Sequence, residues 1–265
     1  MRLTRIGGPT VLVEFDGWRI LVDPTFDAPG RTYAFGWGTS SRKTLGPALG
    51  PEAVGPVDLV LISHDHHADN LDDAGRAFLP SAGRVVTTRS GGKRLAGRTG
   101  DAPVHGLAEG DRVVVAAPRA GLADLEVTAT PCRHGPPLSR PIVGEVVGFA
   151  VRRTGESRVA LWVTGDTVLH AGLRRAAHAL DVDVAIVNVG GVRFGLTGPL
   201  RYTMDGREAV ELIGLVAPRA AALAHYDGWS HFRDGEAGLR RALAAASPDV
   251  RERARWLVDG TAVTL

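Results

Sequence analysis

The chain has 265 residues, enough for one large domain or two small ones with a substantial core. Its 44% hydrophobic and 23% charged residues exclude a disordered or fibrous protein, and its single cysteine, Cys132, excludes an intrachain disulfide framework. The 31 basic residues, nearly all arginine, balance 29 acidic ones to a net charge of +2 and form no basic patch with interleaved aromatics, which gives little support for nucleic-acid binding.

Three short apolar runs, Leu3 to Ile6, Thr10 to Phe15 and Trp18 to Val22, predict three strands at the start of the chain. An Asp-Gly pair between the second and third runs is a hairpin signal. From Pro24 to Val57 the sequence loses periodicity, and this irregular stretch carries three aromatic side chains, Tyr33, Phe35 and Trp37. So long a stretch predicts either a lid or pocket wall over a functional site, or a surface excursion with a small satellite core.

The middle of the chain predicts alternating strands and helices. Apolar runs predict strands at Val57 to Ile62, Val85 to Thr88, Val113 to Ala116, Leu125 to Thr130, Glu145 to Arg152 and Arg158 to Thr164. Helices are predicted from Leu71 to Phe78, which Pro80 ends, and near Gly92 to Leu95.

The last hundred residues predict helices from about Val168 to Leu180, from Asp205 to Val216 with Thr203 as its cap, and from Glu236 to Ala246. The strands predicted there are Val184 to Val189, Ala220 to His225, Trp256 to Val258 and Ala262 to Leu265. Both halves of the chain begin with strands and continue with strand and helix alternation, and no break in composition divides them. We therefore expect one α/β domain over residues 1–265, built of layered sheets covered by helices.

Four histidines and one aspartate follow the ends of predicted strands, where open α/β architectures place their working groups. These residues are His64, His66, His134, Asp166 and His225. Imidazole nitrogen and carboxylate oxygen are ligands of zinc, iron and manganese. In an extended loop, residues two apart point the same way, so His64 and His66 can reach one ion together, while His67 aims elsewhere or serves a second ion.

The motifs that carry these residues resemble, in order, the metal motifs of the metallo-β-lactamase superfamily. They are Ser63 to Asp72, Thr130 to Gly135, Thr164 to Thr167, and His225-Tyr226. The N-terminal strands with Leu21-Val22-Asp23-Pro24, and the lack of an inserted nuclease-type domain, are similar to the ascorbate-phosphate-lactonase-like and N-acylphosphatidylethanolamine-phospholipase-like branch. The resemblance covers nearly the whole chain and implies a four-layer αββα sandwich that holds one or two divalent metal ions, zinc or manganese, between the sheet edges.

By motif position, the resemblance implies that His64, His66 and His134 hold the first ion, that Asp166 bridges, and that His225 belongs to the second ion. It also implies that Asp23 lies behind the ligands and orders the metal loop. The alternative for Asp23 is a turn residue that only ends its strand before a proline.

The sequence departs from the family pattern His-x-His-x-Asp-His. Without a gap, the Asp position holds Ala68 and the His position holds Asp69; with one inserted residue, these positions hold Asp69 and Asn70. A second-site histidine is absent in either alignment. Asp69 is the best remaining ligand, an oxygen donor that weakens zinc binding relative to manganese or another harder ion, and His67 could compensate. Whether the second site is filled, weak or empty stays open.

The resemblance implies metal-assisted hydrolysis, in which hydroxide generated on the cation attacks a small ester, lactone or phosphodiester. Asp69 would orient or deprotonate the attacking water, and Asp166 would hold the metal. The alternative for Asp69 is that it only caps the following helix. His231, which could donate to a leaving group or an oxyanion, completes the catalytic candidates. It belongs to an aromatic stretch that either lines the substrate pocket or folds onto the core: Tyr226, Trp229 and Phe232.

The missing histidine also motivates a second hypothesis, a metal-binding relative without turnover that acts as a sensor or is a degenerate enzyme. A nuclease of the same superfamily is disfavoured because no basic groove is visible. No apolar run is long enough to span a bilayer, and the first eight residues enter a strand pattern without an apolar signal core. We therefore expect a cytoplasmic protein with a small-molecule substrate, no nucleic-acid partner and no membrane span; self-association is left open.

Overall fold

The computed structural model describes residues 1–36, 38–137 and 139–265. Trp37, one aromatic residue of the irregular stretch, lies outside the described residues. Strands of the first half are β1 (Arg2–Gly7), β2 (Thr10–Phe15), β3 (Trp18–Val22), β4 (Thr32–Gly36), β5 (Thr39–Arg42), β6 (Leu59–Leu61), β7 (Val85–Thr88) and β8 (Val104–Leu107). Strands of the second half are β9 (Arg112–Val115), β10 (Leu125–Thr130), β11 (Gly148–Arg153), β12 (Val159–Val163), β13 (Val182–Asn188), β14 (Ala220–Ala224), β15 (Ala254–Arg255) and β16 (Ala262–Thr264).

The helices are short and lie between the strands. They are α1 (Pro51–Val54), α2 (Asp73–Phe78), α3 (Arg89–Leu95), α4 (Arg140–Val143), α5 (Ala171–Ala179), α6 (Gly206–Val216), α7 (Gly235–Ala244) and α8 (Pro248–Arg253). Within the described ranges, none of them has the length and apolar character needed to cross a membrane.

Fourteen of the strands form two seven-stranded sheets, each antiparallel on one side and parallel on the other. The first sheet has the order β16-β1-β2-β3-β6-β7-β8 and is parallel from β3 to β8. The second has the order β15-β14-β13-β12-β11-β10-β9 and is parallel from β12 to β15. The two sheets therefore repeat one plan, as the strand and helix pattern of the two halves predicts.

Three apolar layers hold the sheets and helices together. The largest lies between the sheets and joins their inner faces, with Val13 and Ile20 from one sheet and Phe149 and Leu161 from the other. A second layer packs α5, α6 and α7 on the outer face of the second sheet, and a third packs α2 and α3 on the first. This arrangement confirms the predicted four-layer αββα sandwich.

Several elements differ from the sequence prediction. The irregular stretch contains a hairpin of β4 and β5 and the short helix α1, while β8 and α8 were not predicted. The cap of α6 is Asp205, which accepts the backbone N–H of Glu208 at 3.0 Å, rather than Thr203. The helix expected from Val168 begins at Ala171. The last strand pair also shifts, because β15 lies at Ala254–Arg255 rather than at Trp256 to Val258. The strands and helices that were not predicted are short, so too few of their residues show the period that identifies a strand or a helix.

A buried ion pair fastens the irregular stretch beside the loop that follows β6. Lys43 Nζ lies 2.8 Å from Asp72 Oδ2, and both side chains are buried. Asp72 also caps α2 by accepting the backbone N–H of Gly75 at 2.8 Å, and it accepts the N–H groups of Phe26 and Asp27. One carboxylate therefore joins the irregular stretch, the helix and the loop between them.

We expect Asp72→Ala to lower the free energy of unfolding by about 3–5 kcal/mol, because it leaves the Lys43 ammonium buried without its partner. Urea unfolding of the purified variant measures this loss. The neighbouring Asp73→Ala is the matched control: Asp73 pairs with Arg31 on the surface, so its removal should cost about 1 kcal/mol or less. Equal losses in the two variants would contradict a special role for the buried pair.

Candidate metal site

The predicted ligands converge where the strands of the two sheets end. The loop after β6 carries His64 to Asn70, His134 follows β10, Asp166 follows β12 and His225 follows β14. Three groups have ligand atoms that lie within 4.8 Å of one another: His64, His134 and Asp166; Asp69, Asp166 and His225; and His64, His66 and His67. We call the first group the first cluster and the second group the second cluster. Asp166 belongs to both, which is the position a bridging ligand would need.

The imidazoles of the first cluster are oriented by hydrogen bonds on their outer nitrogens. His134 Nδ1–H donates to the carbonyl of Tyr202 at 2.8 Å, which leaves Nε2 free to face the cluster. Nδ1 of His64 lies 3.0 Å from Ser63 Oγ. Burial lowers the pKa of both imidazoles, so each is neutral at pH 7, and neutral imidazole is the form that binds a metal ion.

His67 lies with the other histidines of its loop instead of pointing away from them. Its Nδ1 is 3.1 Å from His64 Nε2, whereas the alternation of an extended loop separates the two residues. The loop is not extended, because the N–H groups of Asn70 and Leu71 both donate to the His67 carbonyl and close a turn. His66 Nε2–H donates to the carbonyl of Val143.

The second cluster consists of carboxylates and imidazoles in close contact. Asp69 Oδ2 lies 3.4 Å from His225 Nε2 and 3.1 Å from His231 Nε2, and Asp166 Oδ1 lies 3.4 Å from His225 Nδ1. Burial would raise the pKa of Asp69, but its contacts with His225 and His231 outweigh burial and hold that pKa well below its usual range. Burial would lower the pKa of His225, and the carboxylates of Asp166 and Asp69 raise it instead.

The unpartnered polar atoms at this edge test whether the residues suit a cation. Among the described residues, four buried atoms of the predicted ligands lack a hydrogen-bond partner: His66 Nδ1, Asp69 Oδ1, Asp166 Oδ2 and His225 Nε2. Leaving such an atom unsatisfied costs about 1–3 kcal/mol, and more for a charged group. With His66 Nε2–H donating to Val143 and His225 Nδ1–H donating to Val189, each of these four atoms offers a lone pair that a bound cation would satisfy. The residues therefore fit one or two divalent ions.

The backbone is strained where two strands deliver site residues. Asp23 has φ +40° and His225 has φ +59°, both in the left-handed region that side chains rarely adopt. The His225 N–H donates to the Gly8 carbonyl at 2.8 Å, so the β1–β2 turn supports this conformation. Gly165 precedes Asp166 with φ +63°, and a Cβ there would lie 2.7 Å from the carbonyl oxygen of Val147. The approach to Asp166 therefore requires glycine.

Asp23 lies behind the loop after β6 and contacts Asn70 of that loop. Asp23 Oδ1 accepts the N–H of Ser63 at 2.6 Å, and its Oδ2 accepts from Asn70 Nδ2 at 3.2 Å. Burial raises the pKa of Asp23 to about 7, against the lowering effect of these hydrogen bonds. Asn70 is thus engaged with the support of the loop, whereas Asp69 belongs to the second cluster.

Two residues that hold ligand side chains, Asn188 and Tyr202, were not predicted from the sequence. Asn188 Nδ2 donates to Asp166 Oδ1 at 3.0 Å, which holds the shared carboxylate from behind. Its signal was available, because Asn188 is the polar end of the apolar strand β13, the same position that His225 has after β14. Tyr202 contributes its carbonyl to His134, and a backbone group leaves no signal in the sequence.

An apolar cavity of about 230 Å³ opens beside both clusters. His67, Asp69, His134 and His231 lie on one side of it. Phe35 of the β4–β5 hairpin forms part of the cavity wall, which is the predicted role of a pocket wall. Tyr33 and Trp229 pack together in a small satellite core. Both predicted roles of the irregular stretch therefore occur together.

Of the aromatic stretch after His225, His231 lines the cavity, whereas Tyr226 packs in the core of the second sheet. The His231 ring stacks on Phe194 with 12° between the planes, and its Nδ1 contacts Ser41 Oγ. Phe232 is partly buried against the satellite core.

Comparisons with known proteins agree with this architecture. Residues 18–226 match the beta-lactamase superfamily domain. A UPF0173 metal-dependent hydrolase of Aeropyrum pernix is 30% identical over 235 residues, which cover 85% of this chain and 82% of the relative.

Two solved structures are similar in fold. The crystal structure of a possible metal-dependent hydrolase from Veillonella parvula has a TM-score of 0.82 at 18% identity, and that of isothiocyanate hydrolase from Delia radicum gut bacteria has a TM-score of 0.79 at 16% identity. Each comparison covers 100% of this chain and 99% of the other. The chain therefore belongs to the beta-lactamase superfamily, as its motifs predict, and to the metal-dependent hydrolases within it.

Proposed function

We propose that the chain is a single hydrolase domain over residues 1–265 whose two clusters hold the catalytic metal. His64, His66, His134 and Asp166 would hold the first ion, and Asp69, Asp166 and His225 the second, with zinc or manganese as the cation. The observation that carries the proposal is the convergence of buried imidazoles and carboxylates from separate strand ends, with four ligand atoms that have no hydrogen-bond partner among the described residues. A cation bound there supplies Lewis-acid activation of water and of the substrate's carbonyl or phosphoryl oxygen.

The side chains around the clusters would carry out the proton transfers. Asp69 is ionised, and its Oδ1 has no partner among the described residues, so it can orient or deprotonate the attacking water. His231 Nε2 lies 3.1 Å from the other oxygen of Asp69 and borders the cavity, so it can pass a proton to the leaving group.

The alternative of a metal-binding relative without turnover was motivated by the missing second-site histidine. That motivation is weakened, since Asp69 lies beside His225 and Asp166, where an oxygen ligand could replace the nitrogen. We retain the predicted substrates, a small ester, lactone or phosphodiester, and a cytoplasmic location without a nucleic-acid partner.

The test is metal loading followed by a substrate panel. The purified protein is stripped with a chelator, reloaded with manganese or zinc, counted for bound metal by mass spectrometry, and assayed on chromogenic esters, lactones and phosphodiesters. Benzyl isothiocyanate joins the panel because one similar structure is that of an isothiocyanate hydrolase. We expect turnover only in the reloaded protein. Stoichiometric metal without turnover would favour the non-catalytic relative, and failure to bind metal would refute the site.

We expect Asn188→Ala to weaken metal affinity about 10–100-fold, because Asp166 loses the amide that orients it. Competition with a chelating dye measures the dissociation constant of the variant. Thermal unfolding is measured in parallel to show that the fold is retained. Unchanged affinity in a folded variant would mean that Asp166 needs no support from β13.

A further inference from the structure

The cavity beside the clusters differs in chemistry from the site that it joins. Its wall is formed by apolar side chains from three separate segments: Phe35, Val143, Val192, Phe194, Leu196 and Tyr202. Among the described residues, no lysine or arginine lines it. Phosphate groups are commonly bound by arginine or lysine, and an ion buried without a cationic partner is costly. The wall is therefore suited to an uncharged group.

Aromatic contacts make this apolar surface continuous with the imidazoles of the site. The Phe35 ring centre lies 5.1 Å from that of His67 and 5.0 Å from that of His231, and Phe194 stacks on His231. A substrate group in the cavity that these rings line would lie beside Asp69 of the second cluster. The cavity thus places an apolar substituent next to the groups proposed to move protons.

The size of the cavity limits the substituent. An engineered apolar cavity of about 150 Å³ binds benzene. The present cavity, at about 230 Å³, has room for a phenyl ring with a short alkyl chain. At its mouth, Leu196 is 73% exposed, which leaves an apolar side chain free to be covered by an occupant.

Resting on the proposed function, we propose that the site selects neutral esters or lactones with an apolar substituent of this size, in preference to phosphodiesters. The carbonyl carbon of the substrate lies at the clusters, and the substituent fills the cavity that Phe35 and Phe194 line. Hydrolysis then breaks the bond from the carbonyl carbon to the leaving oxygen, water supplies the new oxygen, and the leaving oxygen takes up a proton.

Binding of uncleavable ketones tests the selection separately from catalysis. Calorimetry on the metal-loaded protein compares acetophenone with 4-phenyl-2-butanone, which has two more methylenes between ring and carbonyl, and with diphenyl phosphate. We expect 4-phenyl-2-butanone to bind about 15-fold more tightly than acetophenone, at about 4-fold per buried methylene. Equal affinity for the two ketones, or tighter binding of diphenyl phosphate than of 4-phenyl-2-butanone, would overturn the proposal.

A variant at the mouth localises the effect without disturbing the core. Leu196→Ser should weaken 4-phenyl-2-butanone binding about five-fold, because the exposed leucine no longer covers the apolar substituent. Leu45→Ser is the matched control, since Leu45 is 53% exposed and does not line this cavity. Equal effects in the two variants would place the ketone elsewhere and refute the assignment of the cavity.

Catalysis is measured on 4-nitrophenyl acetate and butyrate, which share a leaving group. A rise in kcat/KM of about 15-fold from acetate to butyrate supports the proposal, and a flat profile contradicts it. If the metal-loaded protein binds the ketones as expected but cleaves no substrate, the proposed function fails and the selectivity of the cavity stands.

Discussion

Asp166→Ala should abolish metal binding and lower kcat/KM by a factor on the order of 10³ or more, since metal activation supplies several kcal/mol of transition-state stabilisation. The reason is geometric. Asp166 is the one residue with a ligand atom in both the first and the second cluster, so its loss removes a donor from each. Its Oδ2 is buried without a partner among the described residues, and its Oδ1 is held by Asn188. Metal content after loading, counted per chain, is the primary measurement.

The control for this variant lies one strand away. Asp183 lies near the start of β13 and pairs with Arg158 and Arg219 at the surface. Asn188, which contacts Asp166, lies at the other end of this strand. Asp183→Ala should retain the metal content and activity of the parent protein. Full metal content in Asp166→Ala would contradict the bridging position and leave the clusters as separate sites.

Much of this arrangement could be predicted because strand ends are easy to locate in the sequence. His134, Asp166 and His225 each follow a buried apolar run. Strands β12, β13 and β14 are parallel neighbours, and β10 runs in the same direction because β11 is antiparallel to both β10 and β12, so these strand ends meet at one edge. The order of the motifs then predicts the family and the sandwich. Asn188 follows the same rule, because it is the polar residue that ends the apolar strand β13, so the sequence predicts its position as well.

The local turn after β6 could not be predicted in the same way. Whether His67, Asp69 or Asn70 faces the clusters depends on hydrogen bonds from Asn70 and Leu71 to the His67 carbonyl, and on Asp23, which lies 47 residues before Asn70 in the chain. A one-residue change in register would exchange the candidates. The alternation of side chains assumes an extended loop, whereas tertiary contacts fold this loop into a turn.

The cavity was equally beyond prediction, since its wall combines residues from distant parts of the chain. Phe35 comes from a hairpin in a stretch without visible periodicity, and Val143 and Phe194 come from segments more than a hundred residues later. The aromatic content of the irregular stretch indicated a wall or a satellite core. It did not indicate that the hairpin would supply both.

Asp69→Ala should lower kcat/KM about 10²–10³-fold, as expected for the loss of a general base, while the chain retains one bound ion. The first cluster does not include Asp69, whereas the second cluster loses its only carboxylate besides Asp166. The alternative role for Asp69, the cap of the following helix, is occupied by Asp72, which accepts the Gly75 N–H. Activity is therefore expected to fall without the loss of stability that a missing cap causes.

Two further variants complete the test of Asp69. Asp73→Ala removes a neighbouring exposed carboxylate and should leave activity unchanged, because Asp73 lies on α2 and pairs with surface Arg31. Asp69→His restores a nitrogen ligand to the second cluster and should shift its preference from manganese toward zinc, which binds imidazole more readily than a harder cation does. Competition between the two metals, followed by mass spectrometry, measures that shift. Unchanged activity in Asp69→Ala, or an unchanged metal preference in Asp69→His, would show that Asp69 does not replace the missing histidine.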